Sequence, residues 1–322
     1  MPALLDLPHH EARALLEAGA PAWLPINPVE YHGPHLSLHN DHVVSVGLIE
    51  ALHPQVAPEH PLLMCADLEA GAEPCPGPGT RAVPYPRLRK LVLAACDALA
   101  DLGARKVVLV TFHGAPLHAA ALQAGVRRLT RRGVRAVAPF DLVMNEMLSA
   151  RGEDYAAQLA SIADDEDRAT VTAELPTDFH AGFFETSLAL HYAPGTVSPL
   201  HRRLPPCPAP APVGPLLAAS HAAARLGRPR LARELYFAAV GLGWAALRPF
   251  PGYTSHPALA TAEVGRAFAA YLEPRAARLI TDVFAGHAVS PAPIMGWLRW
   301  VSLGGRIGGL EVPLTATAPP PA

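Results

Sequence analysis

The chain has 322 residues, half of them hydrophobic and only 17% charged, with a formal net charge of −2. That is room for one large folded domain, and it excludes wholesale disorder. No basic surplus exists to neutralise a polynucleotide, and no charge-free run reaches the roughly 18 residues of a membrane span, so neither nucleic acid nor membrane is expected as a partner. Cys65, Cys75, Cys96 and Cys207 form no CxxC pair and suit a reducing cytoplasm. The first 20 residues carry Asp6, Glu11, Arg13 and Glu17 rather than the apolar run of a signal peptide, so a cytoplasmic location is expected. Sixteen histidines are the anomaly of the composition, and their positions decide what they mean.

In chain order, residues 22–27 (AWLPIN) read as a strand, followed by a histidine-rich loop over 28–40. Val43, Val46, Ile49 and Leu52 recur at the helical period over 42–52. Residues 62–66 are a possible strand, and a Gly/Pro loop follows at 71–80. Leu88, Leu91, Val92, Ala95, Leu99 and Leu102 share one face of a helix that Gly103 stops. The run 106–111 (KVVLVT) is continuously apolar, as a strand covered on both faces must be. A helix over 117–131 and a strand over 134–139 come next. This alternation predicts a mostly parallel sheet between helices, an α/β fold. Residues 141–178 are polar and weakly patterned, and 194–215 are proline-dense and irregular. Helices are expected over 216–237 and over 259–272, the second opened by Ser255 and Pro257. The last 45 or so residues have no strong pattern, and the tail after Thr315 is expected to fray. No repeat or linker divides the chain, so residues 1–322 read as a single domain.

Three constellations can carry chemistry. Glu30 and His32 are two apart on extended backbone and so can face one space, and Asp41 sits just before the next helix, able to bend back toward it. Carboxylate plus imidazole is the donor mix for Zn, Mn or Fe. A solvated loop with Asp41 as a helix cap remains open from this motif alone. His113 lies just beyond the buried strand 106–111, and in open parallel sheets sites form at the carboxyl ends of strands. Alone it reads sooner as a hydrogen-bonded turn residue, while Gly114 beside it allows close approach of a ligand. The stretch 178–187 (DFHAGFFETS) brings Asp178, His180 and Glu185 within eight residues, with Glu185 either a ligand or a first-turn cap and His180 a candidate acid–base group. The loop 71–80 (GAEPCPGPGT) lacks the GK[ST] ending of a phosphate loop and reads as a substrate-covering segment through Glu73, Gly79 and Thr80. No GxSxG elbow is present, and no GxGxxG follows a strand.

Taken together, LPINPVEYHGPHLSLHND (24–41), GAEPCPGPGT (71–80), VLVTFHGAP (108–116), DFHAGFFETS (178–187) and GYTSHPALATAEVGRAF (252–268) resemble the creatininase (creatinine amidohydrolase) family, in the family's order, over residues 20–272 or so. The resemblance implies a three-layer α/β/α fold with a C-terminal extension over 273–322, and a homo-oligomer, often a hexamer. It implies two divalent metal ions (Zn, Mn or Fe) held by five side chains: Asp41 bridging, Glu30 and His113 on one ion, His32 and Glu185 on the other. His180 matches the catalytic histidine, with Asp178 a candidate to orient it. The chain departs from the pattern where the family shows NGHGGN and this sequence has Thr111-Phe112-His113-Gly114-Ala115-Pro116, where a histidine is replaced by Pro74, and where no tryptophan stands between Trp23 and Trp244. Creatinine is therefore not the expected substrate.

The expected chemistry is hydrolysis of a non-peptide C–N bond, in an amide or cyclic amide of a small molecule, by water activated between two metals, with His180 moving the proton. The alternatives are a peptide-trimming or deformylating member of the same family, and a degenerate member that binds without turnover.

Overall fold

The structure, a computed structural model, describes residues 4–307 and 317. Five short strands, β1 (Ala22–Asn27), β2 (Leu63–Met64), β3 (Leu68–Glu69), β4 (Lys106–Val110) and β5 (Arg135–Val137), form one sheet in which every pairing is parallel. The order is β2-β1-β4-β5, with β3 also beside β1. The edge strand expected over 62–66 is interrupted: β2 pairs with the start of β1 (Ala22 with Leu63) and β3 with its end (Ile26 with Leu68).

Among the described residues, eleven helices surround the sheet: α1 (His9–Glu17), α2 (Asn40–Val56), α3 (Tyr85–Asp101), α4 (Pro116–Arg131), α5 (Phe140–Ser149), α6 (Asp165–Glu174), α7 (Phe183–Tyr192), α8 (Gly214–Arg225), α9 (Pro229–Ala245), α10 (Ala262–Ala285) and the short α11 (Leu298–Val301). The strand period of two sorts the core. Ala22, Leu24 and Ile26 of β1, with Val107 and Leu109 of β4, pack against Leu88, Val92 and Cys96 of α3 and Ala121 and Leu129 of α4. Trp23, Val108 and Val110 point the other way, onto Leu48, Ile49 and Leu52 of α2 and Ala276, Ala277 and Ile280 of α10. Both faces are thus buried, which is why these strands read as unbroken apolar runs. The fold is a three-layer α/β/α arrangement.

Two helical expectations need correction. The helix over 216–237 is two antiparallel partners, α8 and α9, because Gly227 takes a left-handed conformation (φ 67°) and Pro229 opens the second. The helix over 259–272 is not opened by Ser255 and Pro257: Pro257–Leu259 is a separate turn, and Thr261 caps α10 by accepting from the Val264 N–H at 3.2 Å. It also runs through Pro274 to Ala285, where Gly286 (φ 82°) ends it, so residues read as the start of an extension cover the sheet. Weakly patterned 141–178 folds as α5 and α6, which close a further core over the carboxyl edge of the sheet with α7. Of the tail expected to fray, only Thr317 is described.

The crossing of α7 and α10 fixes the helix that carries Glu185. It is close because Gly265 lacks a side chain: a Cβ there would lie 1.9 Å from the Ser187 carbonyl oxygen. Gly265→Ala gains about 1 kcal/mol of helix propensity but forces two backbones apart at a typical overpacking cost of about 1–3 kcal/mol. A lower melting temperature in calorimetry is expected, with the helical content intact.

Candidate metal centre

The chain leaves β1 toward β2 on one side and reaches β4 on the other, so the carboxyl ends of β1 and β4 flank the point where the winding reverses, the usual place for a site in an open sheet. Asn27 latches the two ends together. Its Oδ1 accepts from the Phe112 N–H at 3.2 Å and from the Thr111 hydroxyl at 3.2 Å beyond β4, and from the Ser45 hydroxyl at 3.0 Å on α2. Glu30 and His32 follow β1, and His113 follows β4. Asp41 and Glu185 stand in the first turns of α2 and α7, whose amino ends favour negative charge. Neither helix has a side-chain N-cap.

These residues converge. His32 Nε2 lies 3.2 Å from Asp41 Oδ1 and 3.3 Å from Glu185 Oε1. His113 Nδ1 lies 2.8 Å from Glu30 Oε2 and 3.7 Å from Asp41 Oδ2. His180 Nδ1 lies 3.8 Å from Glu30 Oε1, and its ring stacks on that of His32 with centroids 4.5 Å apart. Potential donor atoms within 4.8 Å of one another form three groups: Glu30, Asp41 and His113; His32, Asp41 and Glu185; and Glu30, His32 and His180. The first two share Asp41, one carboxylate oxygen facing each.

Backbone carbonyls set the direction of all three imidazoles. The outer nitrogens donate to them: His32 Nδ1 to Glu30 O at 3.0 Å, His113 Nε2 to Ala72 O at 3.0 Å, and His180 Nε2 to Tyr31 O at 2.9 Å. A carbonyl only accepts, so the outer nitrogens carry N–H and the inner nitrogens face the centre, where each can take a metal ion or a proton. The carboxylates are held similarly. The Cys75 N–H donates to Glu30 Oε1, Asn40 Nδ2 donates to Glu185 Oε1 at 2.7 Å, and the Ala181 N–H donates to Glu185 Oε2 at 2.6 Å. Glu30 Oε2 and Asp41 Oδ2 have no backbone or amide donor among the described residues and face the His113 ring.

The electrostatics are unusual. Glu30, Asp41 and Glu185 are at most 7% exposed. Among the described residues, histidines alone form ion pairs with them, and no lysine or arginine does. Buried charges of this kind are paired or hold metals. Burial alone would push Glu30 up, but His113 and His32 outweigh it and hold the carboxyl low. Burial likewise opposes protonation of His113 and His32, yet Glu30 and Asp41 raise His113 to about 9, and Asp41 and Glu185 raise His32 well above its ordinary value. His180 goes the other way, lowered to about 4 by burial and by the charge of His32, so it is neutral at physiological pH.

Other expected residues do different work. Asp178 makes no hydrogen bond or ion pair with the His180 ring. Its carboxylate accepts from the Phe184 N–H at 2.7 Å and the Thr254 hydroxyl at 2.8 Å, and Thr254 in turn is bonded to the backbone of His180, so Asp178 shapes the loop. Burial raises its pKa to about 7. Glu73, held in a left-handed conformation (φ 57°), accepts from the Leu117 N–H at 2.9 Å and so caps α4. Thr80 bridges the Tyr31 N–H and the Cys75 carbonyl. Gly79 takes a left-handed conformation (φ 87°) beside a Leu38 methyl, and Gly114 sits against Met144. Sequence reasoning missed Asn40, the Ala72 and Tyr31 carbonyls, the Cys75 amide and Trp244, whose ring packs 5.4 Å from that of His180. Only Asn40, directly before Asp41, carried a signal in the residue type.

Comparison with known proteins bears on the family and the fold. The sequence profile described as Creatininase: Creatinine amidohydrolase matches residues 6–280. The chain belongs to the creatininase family. Members of that family act as hydrolases on C–N bonds other than peptide bonds. Among solved structures, "Creatininase Mn" is similar with a TM-score of 0.57 and 20% identity, covering 88% of this chain and 99% of its own. A creatinine amidohydrolase (creatininase) gives 0.56 and 20%, covering 87% and 96%. A mutant creatininase of Zn–Zn type gives 0.57 and 20%, covering 88% and 99%. At such identities the likeness is one of fold. No curated protein sequence matches the chain.

Proposed function

We propose that the chain is a two-metal hydrolase that cleaves an amide or cyclic amide bond of a small molecule. The observation that carries this reading is the shared Asp41, whose Oδ1 faces His32 of one donor group at 3.2 Å and whose Oδ2 faces His113 of the other at 3.7 Å. Glu30, His113 and Asp41 would hold one divalent ion, and His32, Glu185 and Asp41 the other. When bound, such a pair makes water acidic enough to attack and polarises the carbonyl under attack. The chain's own part is proton movement and exclusion. His180, neutral and with Nδ1 turned inward, accepts a proton and passes it to the leaving nitrogen. Its Nε2, tied to the Tyr31 carbonyl, keeps that orientation through the cycle, and Trp244 backs the ring. Asp178, acting through Thr254, holds the loop that carries His180. Glu73, Gly79, Thr80 and Gly114 shape the walls rather than grip the substrate. The donors are no more than 9% exposed, which favours a small substrate over a peptide.

The test is metal content per chain and turnover on a panel of linear amides, cyclic amides and short peptides, before and after chelation. Two ions per chain and chelator-sensitive hydrolysis of the amides are expected. His180→Gln should keep both ions and lose on the order of 10²–10⁴ in kcat, the usual range for a missing acid–base group. Chelator-insensitive activity in a metal-free protein overturns the reading, and turnover of peptides alone moves it to the peptide-trimming branch. The four free cysteines fit a cytoplasmic setting, and a homo-oligomer is part of the proposal.

A further inference from the structure

The end of helix α4 and its C-cap, Arg132, carry two arginine pairs, each one turn apart, and the fold treats them differently. Arg128 reaches Asp97 of α3 at 2.7 Å, and Arg132 reaches Asp97 at 3.1 Å as well as Asp101. Among the described residues, Arg127 and Arg131 have no hydrogen bond or ion pair, and the same holds for Arg89 on α3 and Arg299 on α11, all four being exposed. The three elements meet: α3 and α11 both pack on α4, and Gly305, just past α11, lies so close to Tyr85 of α3 that a Cβ would stand 2.8 Å from the tyrosine Cβ. After burial, the main influences on Arg127 are the charges of Arg299, Arg131 and Arg89, with Tyr85 opposing them, and together they lower its pKa. No carboxylate is among them. Beside them Trp300 is 70% exposed, with the Arg299 guanidinium 4.8 Å over its ring.

Four like charges gathered without a counter-ion among the described residues repel one another, and an anion placed among them removes that cost. Guanidinium forks match phosphate oxygens two at a time, and an open indole offers a stacking face. The chain as a whole is slightly acidic, so the cluster is a local feature and not part of a general polycation. We propose that this face binds the polyphosphate group of a small molecule, with Arg89, Arg127, Arg131 and Arg299 taking the phosphates and Trp300 taking a planar ring where the ligand has one. Arg127 is ten residues along α4 from Leu117, about 15 Å at the helical rise. The site is therefore separate from the donor cluster, and the proposal stands whether or not the metal reading holds.

Calorimetric titration of the full chain with inorganic tripolyphosphate and with a nucleoside triphosphate tests this, in parallel with Arg127→Gln/Arg131→Gln and Trp300→Ala. Saturable binding that weakens with salt is expected. The double variant, whose melting should match the parent because both side chains are exposed and unpaired, should bind roughly a hundredfold more weakly, at about tenfold per guanidinium lost. Trp300→Ala should weaken the nucleotide alone. Absence of binding at millimolar concentration, or affinity unchanged in the double variant, overturns the site. Tighter binding of a single-stranded oligonucleotide than of tripolyphosphate overturns the small-molecule assignment.

Discussion

Replacing Asp41 with asparagine is expected to reduce metal content from two ions per chain to at most one and to abolish measurable hydrolysis. Asp41 Oδ1 is 3.2 Å from the inner nitrogen of His32, and Oδ2 is 3.7 Å from that of His113. Asparagine keeps one oxygen and turns an N–H₂ group toward the other imidazole, so one donor group loses a ligand and gains a misplaced donor. Loss of a supporting partner around a metal ligand costs roughly 10–100-fold, so removal of the ligand common to both groups should cost more, on the order of 10³-fold or beyond. Elemental analysis of the purified variant and its turnover on the best amide of the panel provide the check. Two ions retained with near-normal rate would refute the shared role. Circular dichroism should be unchanged, since Asp41 makes no side-chain cap of its own helix.

Much of this was legible in the residues. The apolar runs at β1 and β4 gave the parallel sheet because burial on both faces leaves no polar positions to confuse the period. His113 and the Glu30–His32 pair were placed at one edge by the rule that sites gather beyond the carboxyl ends of such strands. The pairing of Glu30 with His113, and of His32 with Glu185, was another matter: it came from family resemblance, since no spacing within one sequence says which of two imidazoles faces which carboxylate. The supporting shell was illegible for a different reason. Ala72, Tyr31, Cys75 and Ala181 act through backbone atoms, which every residue possesses, so their identity carries no mark of the role. Glu73 and Thr80 misled in the opposite sense. Their polar side chains suggested contact with substrate, while the fold uses them to cap α4 and to brace a loop. The end of α10 lay beyond the helix read over 259–272: thirteen residues from 273 to 285 stay helical, through Pro274, where the sheet gives their apolar face a surface to cover.

Metal should stabilise this protein most at alkaline pH. Without metal, three buried carboxylates are balanced by protons on imidazoles. His113 has a pKa of about 9 in the folded chain, against an ordinary value of 6.5. A raised folded pKa contributes stability that is complete below about 6.5 and is lost as pH climbs through 9. At about 1.4 kcal/mol per pH unit, that loss reaches at most about 3 kcal/mol for this one group. His32, raised well above its ordinary value by Asp41 and Glu185, adds in the same direction. Metal ions need those nitrogens unprotonated, so their affinity rises over the same interval in which proton stabilisation fades. A divalent ion at a thousand times its dissociation constant adds about 4 kcal/mol. For a chain of this size each kcal/mol moves the midpoint by roughly 2–4 °C. The gap between melting temperatures with excess Mn²⁺ or Zn²⁺ and with chelator should therefore be small at pH 6 and on the order of 10 °C near pH 9. Differential scanning calorimetry across that range measures it directly. A gap that stays constant, or narrows as pH rises, would mean that cations and protons do not compete for His32 and His113, and that the carboxylates are balanced by something other than metal.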